Sequence, residues 1–177
     1  MLLLEHELAG SALQMDKIKL LALDQSSKVS GFAIFEDGRY SSHGKFTFDG
    51  EIGERLVKIR RQVMALVHEN NITEVAFEDI QHQENRINNV QTFKVLAEVY
   101  GVIQELLTEM RVKYTIVPAS TWKSSLGIKG AVSAEQKRNA QKYVFDTYGI
   151  KATQDECDAI CIASHMSKSQ SMNFNWD

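Results

Sequence analysis

The sequence has few of the residues that mark secreted or membrane-bound chains. There are two cysteines, Cys157 and Cys161, one helical turn apart. That is no disulfide framework, and a reducing cytoplasm is the expected compartment. Pro118 is the one proline, and it stops a strand; no interdomain linker or internal repeat is visible. No apolar run approaches the roughly 20 residues a membrane span needs. The opening MLLLEHELAG carries no Lys or Arg before Lys17, so it makes a poor signal peptide. A basic excess is also missing: the net charge is −3, which by itself does not announce a nucleic-acid binder.

The 177 residues suit one domain with a single core. At 44% hydrophobic and 24% charged, the composition is ordinary for a soluble globular protein. Residues 1–15 read as an extension outside the fold, with Met15 an alternative start, residues 16–168 as the domain, and residues 169–177 as a polar tail. Charge is unevenly spread. Arg111, Lys113, Lys123, Lys129, Lys137, Arg138 and Lys142 share the 111–142 stretch with a single acid, Glu135. Such a segment forms either one positive face for a polyanion or an ordinary solvated helix surface.

IKLLALD (18–24) is apolar on both faces and predicts a central strand ending in a carboxylate. Asp37-Gly38 predicts a hairpin between two antiparallel strands. The stripe of Ile52, Leu56, Ile59, Val63, Leu66 and Val67 predicts a helix over about 52–70. ITEVAFED (72–79) returns as a strand. A helix containing Val95, Leu96, Val99, Val102, Ile103 and Leu106 follows, then the strand KYTIV before Pro118. Ser133 and Gln136 read as a capping box for a helix to about Tyr148, closed by Gly149. A last helix runs over about 154–166. The order β-β-β-α-β-α-β-α-α implies an α/β mixed sheet, three antiparallel strands first and then parallel strands joined by helical crossovers.

In such a sheet the first and fourth strands are commonly neighbours, so Asp24 and Glu78 are expected to meet at their C-terminal ends. The last helix can add Asp155 and Asp158, which share one face. Four converging carboxylates repel unless a cation joins them, and a hard divalent ion such as Mg2+ suits oxygen ligands. Two such ions roughly 3.5–4 Å apart are a known solution for phosphodiester hydrolysis.

LLALDQSSKVSGFAIF, EVAFEDIQ and DECDAICIASH resemble, in order and spacing, the three acidic motifs of the RuvC-type Holliday junction resolvases, members of the RNase H-like superfamily. The resemblance covers about residues 18–166. VPASTWKSSLG and SAEQK are similar to that family's basic DNA-contacting region, and the short form is closer to bacteriophage resolvases than to the cellular enzyme. The resemblance implies an RNase H-like five-stranded domain. It implies Asp24, Glu78, Asp155 and Asp158 as catalytic metal ligands for two Mg2+ ions, with Mn2+ able to substitute. Lys123 and Lys137 match the family's phosphate-contacting lysines. Arg138 and, after the fourth strand, Gln81, His82 and Arg86 are further candidate DNA contacts. The implied activity is metal-dependent nicking of branched DNA, leaving 5′-phosphate and 3′-hydroxyl ends, in the bacterial host cytoplasm if phage-encoded. A two-fold junction calls for a homodimer, for which the helix at 90–110 is the expected interface.

Two departures stand out. The family's Asp-Pro-Gly after the first strand is Asp24-Gln25-Ser26 here. The family's aromatic residue after the strand bearing the glutamate is absent, the next aromatic being Phe93. A catalytically silent branched-DNA binding protein of the same fold is the alternative. The actin-like ATPases share the opening hairpin, but they need a second similar half. Plainer readings accompany the rest. Cys157, Cys161 and His165 read as a buried stripe rather than a zinc site, Trp122 as a packing residue, and Glu156 as a surface residue. Gln81, Gln83, Asn85, Asn88 and Asn89 read as either a polar loop or DNA contacts.

Overall fold

A computed structural model describes residues 17–80 and 89–173. The strands are β1 (Lys19–Asp24), β2 (Val29–Glu36), β3 (Arg39–Thr47), β4 (Glu74–Glu78) and β5 (Lys113–Val117). The helices are α1 (Ile52–Glu69), α2 (Asn89–Glu109), α3 (Ala119–Ser125), α4 (Ser133–Tyr148) and α5 (Gln154–Asn173). The sheet order is β3-β2-β1-β4-β5. β1, β2 and β3 pair antiparallel, while β4 pairs parallel to both β1 and β5. This is the expected mixed sheet, with β1 at its centre. Asp37 and Gly38 both take positive φ (49° and 75°) in the β2–β3 turn, as a two-residue hairpin loop requires.

Alternation along the strands divides the core in two. Leu20, Ala22, Ala33, Phe35 and Ala76 pack on one face with Trp122 and the buried side of α4 and α5. Leu21, Leu23, Ile34, Val75 and Phe77 pack on the other with α1 and α2. β1 is buried on both sides, which is why it reads as an unbroken apolar run. A one-residue slip in β1 would exchange its two faces. Burial of Leu20 to Leu23 on both sides therefore sets the face on which Asp24 emerges.

Three local expectations are corrected. Ser133 forms no capping box: Val132 is the N-cap, extended at φ −130°, and no side-chain cap bond is made there. Ser133 lies one residue inside the helix, and Glu135 reaches back instead, accepting from the Ala131 N–H at 2.9 Å. A seven-residue helix, α3, follows Pro118, too short to leave a periodic pattern in the sequence. α5 continues beyond Met166 to Asn173.

Candidate active site

β1 and β4 run parallel with Leu23 opposite Phe77, so the next residues, Asp24 and Glu78, emerge side by side at the C-terminal edge. By alternation both share the face of Ala22 and Ala76, the face covered by α3, α4 and α5. The Asp24–Glu78 meeting expected from the order of elements is therefore present.

Gln25, the residue after Asp24, bonds the backbone of Glu78. Its Nε2 donates to the Glu78 carbonyl at 2.5 Å and its Oε1 accepts from the Glu78 N–H at 3.1 Å. The Glu78 carboxylate is held separately: Trp122 Nε1 donates to its Oε2 at 2.9 Å. Trp122 is fully buried, as a packing residue should be, but its N–H has this second task, which sequence pattern did not reveal.

The first turn of α5 reaches the same corner because Gly31 lets it in. Gly31 pairs with Asp24 across β1 and β2. A Cβ at Gly31 would stand 2.0 Å from the Asp155 carbonyl oxygen, so only glycine allows this approach. Asp158 Oδ1 accepts from Gln154 Nε2 at 2.8 Å. Glu156, expected at the surface, is instead largely covered, its side chain 14% exposed. It accepts from the Thr153 N–H at 2.8 Å and from its hydroxyl at 2.5 Å, capping the start of α5 and so fixing where Asp155 and Asp158 fall.

The electrostatics show that the acids share one field. Burial holds the Asp24 carboxyl well above the ordinary aspartate range, and the charges of Asp158, Glu78 and Asp155 push it further; Lys123 opposes them. Burial also raises Glu78, against the Trp122 hydrogen bond and Lys123. Burial raises Asp158, against the Gln154 bond, Lys123 and Lys137. Lys123 is thus the counter-charge common to all three. Its Nζ lies 5.1 Å from the centre of the Trp122 ring and donates to Gln136 Oε1 at 3.3 Å. Lys137 and Arg138 are exposed on α4. Gln81, His82 and Arg86 lie outside the described residues.

Asp24 and Glu78 open into a cleft of ≈ 650 Å3, whose walls include Gln25, Lys123, Lys129 and Gln136; Asp155 and Asp158 are not among its lining residues. The donor set is all carboxylate oxygen, desolvated and mutually repelling, which suits a hard divalent cation in its chemistry. Among the described residues, however, no three His, Cys, Asp or Glu side chains already stand in metal-holding geometry. Cys157 and Cys161 are buried free thiols. Burial and then Asp158 push Cys157 to about 11, and burial raises Cys161 as well, so neither favours the thiolate a metal takes. His165 Nδ1 is engaged with Ser125 Oγ at 2.7 Å.

No protein-family model matches the sequence, and no curated protein matches it. Solved structures do match in shape. Thermus thermophilus RuvC in complex with Holliday junction substrate superposes with a TM-score of 0.68 at 15% identity, over 88% of this chain and 96% of that one. The yeast mitochondrial Holliday junction resolvase gives 0.59 at 13% identity, over 90% and 81%. Fowlpox virus resolvase, in complex with Holliday junction DNA, gives 0.56 at 11% identity, over 86% and 99%. The chain has the RNase H-like fold of these resolvases.

Proposed function

We propose that this chain is a Mg2+-dependent, structure-selective endonuclease that nicks branched DNA, with four-way junctions as its principal substrate. One observation carries the reading: Asp24 and Glu78 stand side by side at the mouth of a cleft, in the field of Asp155 and Asp158, with ionisation suppressed and Lys123 as shared counter-charge. Packing acids this way costs stability, and a structural role explains it poorly. The likeness in fold to Holliday junction resolvases supports the same substrate class.

Asp24, Glu78, Asp155 and Asp158 would hold the ions. Two Mg2+ ions, or Mn2+ in their place, would supply positive charge to activate the attacking water and stabilise the leaving oxygen. Trp122 restrains the Glu78 carboxylate through its N–H. Lys123 sits where it can meet the scissile phosphate, while Lys137 and Arg138 on the outer surface of α4 contact neighbouring phosphates. Gln81, His82 and Arg86 follow Glu78 closely in sequence and are assigned to the DNA face on that ground. Hydrolysis leaves 5′-phosphate and 3′-hydroxyl ends. Paired nicks call for a two-fold homodimer. α2 is the proposed interface: its Val99, Ile103, Leu106 and Leu107 are committed to the core, while Val90 near its start is 72% exposed.

One observation favours a second reading, a catalytically silent branched-DNA binding protein: the absence of three acids in ready metal geometry among the described residues. The deciding experiment incubates the protein with a labelled junction, a fork and a plain duplex, with and without Mg2+. Junction nicking that needs Mg2+ and is lost in Asp24→Asn supports the nuclease. Tight junction binding without nicking in Mg2+ or Mn2+ supports the silent binder.

A further inference from the structure

Gln25 is buried, with 8% of its surface exposed, and follows Asp24 directly. The β1–β4 ladder ends at Leu23 and Phe77. Beyond that point the N–H and C=O of Glu78 still face the β1 side, while the Asp79 N–H turns the other way, to Val117 on β5. Gln25 meets both exposed groups, one with its carboxamide oxygen and one with its nitrogen. A primary amide is a peptide group in miniature, with one acceptor and donors at matching separation. The turn that carries it is tied down in turn. Ser30 Oγ accepts from the Ser26 N–H at 3.0 Å and donates to the Ser26 carbonyl at 2.8 Å.

We infer that Gln25 is a positioning residue for the acid pair: its side-chain amide supplies one further rung of the β1–β4 ladder and thereby sets the direction in which Glu78 leaves the backbone beside Asp24. This rests on the nuclease reading above and deepens it. Trp122 holds the carboxylate end of Glu78 and Gln25 holds the backbone end, so the side chain is restrained at both. Methionine fills the same space with no hydrogen bonds. Asparagine carries the same amide on an arm one methylene shorter. Glutamate loses the donor and adds negative charge to a crowded site.

The test compares the full chain with Gln25→Met by four measurements: Glu78 amide hydrogen exchange, Mg2+-dependent thermal shift without DNA, junction affinity, and single-turnover junction nicking. The expected result for Gln25→Met is Glu78 exchange faster by about tenfold, with Ala22 in mid-strand unchanged. Junction affinity stays within about twofold, while nicking falls and the Mg2+ midpoint rises by about tenfold or more, the usual effect of removing an outer partner of a metal ligand. Nicking and Mg2+ midpoint both within about twofold of the unmodified protein would overturn the inference. If the unmodified protein responds to Mg2+ but does not nick, the nuclease reading fails, and the Mg2+ midpoint of Gln25→Met still decides the positioning role. If it shows neither response, both fall. Should Gln25→Met not fold, Gln25→Asn is judged by the same measurements. Failure of both to fold would make Gln25 a purely structural residue and overturn the inference.

Discussion

The indole N–H of Trp122 donates to Oε2 of Glu78 at 2.9 Å, linking residues 44 apart in sequence. The bond stabilises the ionised carboxylate and opposes the upward push of burial on its pKa. Trp122→Phe keeps most of the packing and removes only the donor. Glu78 then becomes harder to ionise, so the acid limb of the nicking pH–rate profile moves to higher pH. The rate at neutral pH is expected to fall about tenfold, the equivalent of ~1.4 kcal/mol. A profile with an unmoved acid limb would show that the bond has no role beyond packing.

Asp24→Asn is expected to stabilise the protein in the absence of metal. The folded-state pKa of Asp24 is raised, so the unfolded chain ionises first as pH climbs. Stability therefore declines from the unfolded pKa up to the folded one and stays low above it. At neutral pH the asparagine variant escapes that loss. A rise in Tm of about 2–4 °C corresponds to ~1 kcal/mol in a domain of this size. Added Mg2+ should raise the Tm of the unmodified protein and not that of the variant, as calorimetry with and without the ion would show.

Gly31→Ala places a methyl group against the Asp155 carbonyl. The start of α5 must shift away from β2, at a cost of about 1–3 kcal/mol. The urea midpoint should fall and nicking with it, because Asp155 and Asp158 move with the helix. An unchanged midpoint would mean that α5 relaxes freely, against the close packing described.

Lys123→Ala and Lys137→Ala separate two roles. Both should weaken junction binding, and each should reduce the slope of log affinity against log salt by about one. Lys123 also opposes the raised pKa values of Asp24, Glu78 and Asp158. Lys137 opposes only that of Asp158, so loss of Lys123 should lower Tm at neutral pH more than loss of Lys137, and the difference should shrink at acid pH, where the carboxylates are protonated. Thermal melts of both variants across pH would show whether the two lysines behave alike.

The order of elements was legible because each segment carries its own period. β1 is apolar on both faces, Asp37-Gly38 marks a tight hairpin, and the α1 stripe repeats at helical spacing. That order placed β1 beside β4, so that Asp24 and Glu78 were expected to meet at the C-terminal ends of the strands. Local pattern served less well at the ends of helices. Ser133 and Gln136 have the spacing of a capping box, yet Gln136 is turned toward Lys123 and the Gly130 carbonyl. A cap depends on one residue's backbone angle, which spacing does not specify.

From the sequence alone came the strand order that brings Asp24 and Glu78 to one edge and the helical spacing that stacks Asp155 and Asp158. Tertiary structure alone decided that Gly31 admits α5, that Gln25 replaces a rung of the ladder, that Glu156 caps rather than faces water, and that Trp122 and Lys123 serve the acids. The reason is physical. Burial and turn geometry act over a few residues and imprint a period on the chain. A hydrogen bond or counter-charge between residues 44 or 53 apart imprints none, and it exists only once the sheet has brought its two ends together.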